Sequence, residues 1–176
     1  MTTAHWSTTT LDTGAFTTIV RAGTVLASGW TEDPEYLRAL INVELRPEEL
    51  VHVDDLGVVT TALLRYDEGD LAAIDEIPVR QQSGPFVTHA WDVLRKVTPG
   101  GQVTYAELAE RAGNGSAHRA AAATCARNAA ALFVPCHRVQ RRDGTLGGFR
   151  YGLDIKTALI AHEATFAGAA AGSPAA

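Results

Sequence analysis

The chain has 176 residues, 46% of them hydrophobic and 20% charged, with a formal net charge of −5. That composition fills one core of common size or two small ones and excludes wholesale disorder. No apolar run reaches the roughly 18 residues of a membrane span, so no membrane partner is expected. The polar start from Met1 to Thr10 has neither the basic nor the apolar stretch of a signal peptide, so the expected address is the cytoplasm.

Charge is unevenly spread. Residues 1–85 hold five arginines against fourteen carboxylates, a net of −9, whereas residues 86–176 carry a net of +4. An acidic half and a basic half with separate tasks would produce this, as would two ordinary solvated surfaces. The two cysteines, Cys125 and Cys136, cannot build a disulfide scaffold and form no CxxC pair. No metal and no cofactor are expected.

In chain order, Thr8 to Leu26 is rich in Thr, Val, Ile and Phe and is broken at Gly14 and Gly23. It reads as short antiparallel strands. Asp33-Pro34 supplies a helix cap and a first-turn proline ahead of Leu37, Leu40 and Ile41 at helical spacing. A second helix covers Val58 to Tyr66 and ends near Gly69. Gln81-Gln82-Ser83-Gly84-Pro85 reads as a linker. A helix then carries Phe86, Ala90, Trp91, Leu94 and Val97 on one stripe. Thr104 and Glu107 fit a capping box. The short helix it opens stops at Gly113, and after Asn114-Gly115-Ser116 another runs from about Ala117 to Arg127. Two short helices around a Gly-containing turn read as a helix-turn-helix or as any tight helical pair. The second helix has almost no bulk: Ala120 to Ala123 are four consecutive alanines. Its backbone can approach a protein core or a narrow minor groove. Ala167 to Ala176 reads as a disordered tail.

The expected fold is α+β. A small N-terminal strand-and-helix domain (1–80) and a linker (81–85) precede a mostly helical C-terminal domain (86–166) that holds the helix-turn-helix; the tail is 167–176.

Leu132 to Val139 is the chemically informative stretch. Leu132–Val134 reads as a short buried strand, and Pro135 fixes the backbone before Cys136. His137 and Arg138 follow, and cations beside a thiol favour the thiolate. A nucleophile needs a base and the base an orienting group. His137 is the adjacent imidazole, reached through a turn or a water. Glu163 lies on the apolar face of the last helix, where a carboxylate needs a partner. His162 is its rival as orienter; the preferred reading gives His162 no role.

Pro135-Cys136-His137-Arg138-Val139 resembles the active-site signature of the O6-alkylguanine-DNA alkyltransferases, the methylated-DNA–protein-cysteine methyltransferases. The resemblance extends over residues 86–163. It includes Tyr105, Arg119, Asn128, Gly147-Gly148-Phe149, Gly152-Leu153, Lys156 and Glu163. It implies direct-reversal DNA repair: one irreversible transfer, per molecule, of an alkyl group from O6-alkylguanine (or O4-alkylthymine) in double-stranded DNA to Cys136. The base would be flipped out of the stack. His137 would take the thiol proton through a water, oriented by Glu163. Asn128 would fix the turn before the active site, and Tyr105 would push on the adjacent phosphate and donate to the leaving guanine. Arg119 would fill the vacated stack. Ser116, Ala120, Ala123 and Thr124 would meet the DNA with the small-residue helix in the minor groove. Cys125, Val139, Phe149, Arg150 and Tyr151 would line the guanine and alkyl pocket, the carbonyls of Cys136 and Val139 reading the guanine amine and the Arg150 N–H facing O6. Off DNA the chain would be a monomer.

Two departures stand out. Asn128 is followed by Ala129 where proline is common in the family, and position 151 is Tyr where many members carry Gly. A lesion-binding protein of the alkyltransferase-like kind is the alternative, but those lack the cysteine. A cysteine hydrolase using Cys136, His137 and Glu163 is more distant.

Overall fold

The computed structural model describes residues 1–172. Its first half is a sheet shaped by turn chemistry. β1 (Thr3–Leu11) and β2 (Gly14–Arg21) pair antiparallel with Leu11 opposite Gly14, which leaves only Asp12 and Thr13 in the loop. β3 (Thr24–Gly29) pairs antiparallel with β2, Arg21 opposite Thr24. Between them Ala22 and Gly23 take φ of 49° and 76°. Positive φ at both central residues is what a two-residue hairpin needs to match strand twist. The strands therefore break at the expected glycines, although β1 begins at Thr3, ahead of Thr8. β4 (Glu49–His52) adds parallel to β1, and the sheet order is β3-β2-β1-β4. The sequence reading has no strand there, because four residues are too few to show alternation.

α1 (Pro34–Leu40) is capped by Asp33, whose carboxylate accepts the N–H groups of Glu35 and Tyr36 at 3.0 and 3.3 Å. α2 (Val58–Asp67) buries Val59, Ala62, Leu63 and Tyr66. α3 (Pro85–Arg95) buries Val87, Ala90, Trp91 and Leu94. β5 (Val103–Thr104) pairs parallel with β6 (Val139–Gln140). α4 (Tyr105–Arg111) opens on the capping box: Thr104 Oγ1 accepts the Glu107 N–H at 3.1 Å, and Glu107 Oε2 accepts the Thr104 N–H at 2.7 Å. The chain then turns through Gly113, at φ 94°, into α5 (His118–Ala126). α6 (Leu153–Gly172) follows the active-site segment.

Two expectations are corrected. Leu132–Val134 is buried but not a strand: Ala131 and Val134 form an isolated bridge around a turn in which Leu132 takes φ 73°. A short apolar run reports burial, and it cannot distinguish extension from a buried turn. Residues 167–172 continue α6 instead of starting a tail, since alanine is the strongest helix former. Residues 173–176, the rest of the expected tail, lie outside the described residues.

One apolar cluster joins both sides of the expected linker. Phe16, Val25 and Leu63 pack with Trp91, Leu108, Leu132, Phe133 and Leu159. Gln81 within that linker is itself tied down: it donates to Asn128 Oδ1 at 2.9 Å and accepts the Ala129 N–H at 2.7 Å. Among the described residues no helix is long and apolar enough to cross a membrane.

Candidate active site

Cys136, His137 and Arg138 occupy a single 3-10 turn after Pro135. That turn sends neighbouring side chains to different places. Cys136 lines a cavity of about 440 Å³, a size suited to a small organic group. His137 and Arg138 are buried and both end at Glu163.

Glu163 is the hub. Its Oε1 accepts from His137 Nε2, Arg138 Nη2 and the Tyr66 hydroxyl, each at 2.8 Å; Oε2 accepts from Arg138 Nε at 2.9 Å. Arg138 Nη1 continues to the Val97 carbonyl at 2.6 Å. Burial opposes the charge on Glu163. The hydrogen bond from His137 and the Arg138 fork outweigh it and hold the carboxyl well below the usual range. A carboxylate only accepts, so His137 carries its proton on Nε2 and presents Nδ1 as the basic nitrogen. Nδ1 is buried and has no hydrogen-bond partner among the described residues. Burial pushes His137 below its ordinary value in spite of Glu163, which leaves a neutral imidazole at neutral pH.

The expected activation of Cys136 by its two neighbours is corrected. The Arg138 guanidinium is committed to Glu163 and Val97, and His137 is neutral. Burial pushes the Cys136 thiol up; the opposing influences are a hydrogen bond from Asn128 Nδ2 to Sγ at 3.2 Å and the charges of Lys156 and Arg150. Asn128 also donates to the Val134 carbonyl at 2.8 Å and accepts the Ala130 N–H at 3.1 Å. One side chain thus holds both the turn and the sulfur.

Lys156 received no role from the sequence. It is fully buried on α6, and its Nζ donates to the Val139 carbonyl at 2.8 Å and to the Leu146 carbonyl. It ties β6 to the start of the loop that forms the far cavity wall. Arg138 was likewise missed as a partner of Glu163. A signal for Lys156 existed: Lys156, Leu159 and Glu163 fall at i, i+3 and i+7, one helix face.

Tyr105, Cys125, Phe149, Arg150 and Tyr151 line the cavity, as do Ala122 and Ala126, which the sequence reading did not name. Gly147 takes φ 70° and passes close to the Tyr105 hydroxyl. Burial pushes the Tyr105 phenol up, so it stays protonated. The Val139 side chain is fully buried in β6 and is not among the residues lining the cavity, so a role for this residue rests on its carbonyl. Its carbonyl has Lys156, and the Cys136 carbonyl has the Val139 N–H, although each oxygen keeps a second lone pair.

On α5, Ser116 just before the helix and Arg119 are exposed, while Ala120 and Ala123 are half-buried. Thr124 is corrected: it is fully buried, donating its hydroxyl to the Ala120 carbonyl and accepting Trp91 Nε1 at its own carbonyl, both at 2.9 Å. It faces α3, one turn from buried Ala121. The outward face of α5 is Arg119, Ala122 and Ala126. His162 accepts no part in the hub: its Nε2 meets the Tyr66 carbonyl at 2.8 Å and its ring packs on Phe166.

Comparison with known proteins gives a consistent result. Residues 85–165 match the family model described as 6-O-methylguanine DNA methyltransferase, DNA binding domain. A methylated-DNA–protein-cysteine methyltransferase of Shigella flexneri is 34% identical over 136 residues, 76% of this chain and 80% of that protein. One of Methanosarcina acetivorans is 30% identical over 141 residues, 78% of this chain and 90% of that protein. The structure of Mycobacterium tuberculosis O6-methylguanine methyltransferase superposes with a TM-score of 0.77, covering 98% of this chain and 96% of that one at 22% identity; this shows the same fold. On the extent and identity of these matches, the chain belongs to the methylated-DNA–protein-cysteine methyltransferase family.

Proposed function

We propose that the chain repairs alkylated DNA by direct reversal, moving the alkyl group from O6 of guanine onto Cys136 in a single irreversible turnover. The observation that carries this reading is that Cys136 lines the cavity while His137, the next residue in the same 3-10 turn, has its Nε2 locked onto a buried carboxylate and its Nδ1 free among the described residues.

The chemistry balances without a cofactor. His137 Nδ1 takes the thiol proton through a water, and Asn128 holds the sulfur as charge develops on it. The thiolate attacks the alkyl carbon; the S–C bond forms as the C–O6 bond breaks. The electron pair leaves with guanine, and the base is reprotonated from Tyr105, which His137 can replenish through solvent. The net change is one thiol proton exchanged for one alkyl group. Glu163 acts on His137 and is a positioning residue, as are Arg138 and Lys156. The thioether leaves no thiol to regenerate, which makes the reaction stoichiometric.

The target atom is inaccessible inside a duplex, so the base must be extruded, at a cost of a few kcal/mol. The α4–α5 pair serves as a helix-turn-helix, with the face of Arg119, Ala122 and Ala126 in the minor groove. Small residues allow the close approach, and Arg119 occupies the vacated stack. Residues 86–166 hold the chemistry and 1–80 the frame; the cytoplasm is the proposed location.

Incubation with a duplex bearing O6-methylguanine tests the reading. The chain should gain one methyl group and the DNA should regain guanine. Tight binding with both masses unchanged would instead indicate a lesion-binding protein, and turnover of an ester or amide a hydrolase.

A further inference from the structure

The end of β3 touches both walls of the cavity. Ser28 donates its N–H to the Ala129 carbonyl and its hydroxyl to the Ala131 carbonyl, both at 2.8 Å, and accepts the Ala131 N–H at 3.2 Å. Ala131 is part of the cavity wall. The Ser28 carbonyl also lies 3.4 Å from the Tyr151 hydroxyl, which comes from the opposite wall.

Gly29 is the seat of that tyrosine. A Cβ at Gly29 would fall 1.9 Å from the Tyr151 hydroxyl oxygen and 2.2 Å from Cζ. Gly29 has no positive φ, so the backbone does not ask for glycine here; the ring does. Trp30 adds a second hold. Its ring centroid is 5.5 Å from that of Tyr151 and 5.9 Å from that of Phe149, and Phe149 and Tyr151 are 5.9 Å apart. The Trp30–Tyr151 and Phe149–Tyr151 pairs meet edge to face, an arrangement aromatic rings favour, and the Trp30–Phe149 pair is tilted.

We propose that the Ser28–Gly29 end of β3 is a latch seat for the active-site loop. Tyr151 is a positioning residue: seated over Gly29, it fixes the loop and sets the width of the cavity opposite Cys136. The N-terminal sheet thereby determines which O6 substituents fit. The specificity part rests on the alkyl-transfer reading; the latch itself does not.

Hydrogen exchange of a peptide covering residues 142–152 tests the latch in the wild type, Gly29→Ala, Tyr151→Ala and the double variant. Each single change should speed loop exchange about tenfold. The double variant should exchange no faster than Tyr151→Ala, because seat and ring act as one unit. Exchange in α2 should not change, which separates release from unfolding. Wild-type speed in Tyr151→Ala, or full additivity in the double variant, would overturn the latch. Alkyl acceptance provides the specificity readout: the rate with O6-benzylguanine relative to O6-methylguanine duplex should rise several-fold in Tyr151→Ala, and an unchanged ratio contradicts a role in cavity width. A wild type that accepts no alkyl group would defeat the transfer reading, while exchange would still decide the latch.

Discussion

The sheet half and the helical half bury polar groups of different kinds. Among the described residues, the buried serines and threonines of 1–85 are Ser7, Thr9, Thr17, Thr18 and Ser28, and no charged side chain is buried there. In residues 86–172 the buried polar and charged side chains are Thr124, Asn128, His137, Arg138, Lys156 and Glu163. Ser7, Thr17 and Ser28 each donate their hydroxyl to one backbone carbonyl, and Thr18 Oγ1 is buried without a partner among the described residues; none of these groups carries a charge that burial must offset. Buried charges must be fully paired, and an apolar replacement of a whole pair is often neutral or stabilising. A chain selected only for stability therefore has simpler solutions than the Arg138–Glu163 fork. The charged set surrounds the thiol, and Tyr66 reaches into it from the sheet half. The contrast teaches that one half is organised for packing and the other for holding charge against burial.

Breaking each half should have different consequences. Glu163→Ala strands the Arg138 guanidinium in the core and frees the His137 ring. It should lower unfolding stability by about 3–5 kcal/mol, measured by chemical denaturation, and slow transfer in the protein that remains folded. Leu63→Ala in the sheet-side core should lower stability by about 2–5 kcal/mol while the transfer rate per folded molecule stays at the wild-type value. Comparable loss of transfer in both folded variants would erase the distinction between the halves.

Asn128→Ala sharpens the comparison on the chemical side. It removes the donor to Sγ, and transfer at neutral pH should slow roughly tenfold, the equivalent of about 1.4 kcal/mol. The pH profile carries the sign. Because burial raises the Cys136 thiol, the sulfur is mainly protonated at neutral pH. Because burial lowers His137, the base is already free. The wild-type rate should climb between about pH 6 and 9. Asn128 favours the thiolate, so without it the rising limb should move to higher pH. A limb that stays in place would show that Asn128 serves only the turn.

Local signals were the legible ones. Asp33-Pro34, the Thr104–Glu107 box and the glycines of the hairpins each act within a few residues, and sequence spacing reports them. β4 was not legible, because its pairing with β1 is tertiary. The site was legible as a set of residues but not as a wiring diagram. Adjacency placed Arg138 beside the thiol, whereas the 3-10 turn sends it to Glu163. Thr124 looked like part of a DNA-facing helix because the alanines around it give no inward-pointing side to read. Lys156 required applying to a lysine the same face argument that singled out Glu163.

The smallest expected effect concerns the outer face of α5. Arg119→Ala should slow repair of a duplex several-fold more than it slows dealkylation of free O6-benzylguanine, since extrusion is needed only in the duplex. Equal losses would place Arg119 in the fold or the chemistry.

The most direct test of the central claim is a titration with excess O6-methylguanine duplex, followed by peptide mass analysis. The account predicts a plateau at one methyl group per chain, located on the peptide that contains Cys136, and none in Cys136→Ser. Methylation of another residue, transfer beyond one group per chain, or undiminished transfer in Cys136→Ser would contradict it.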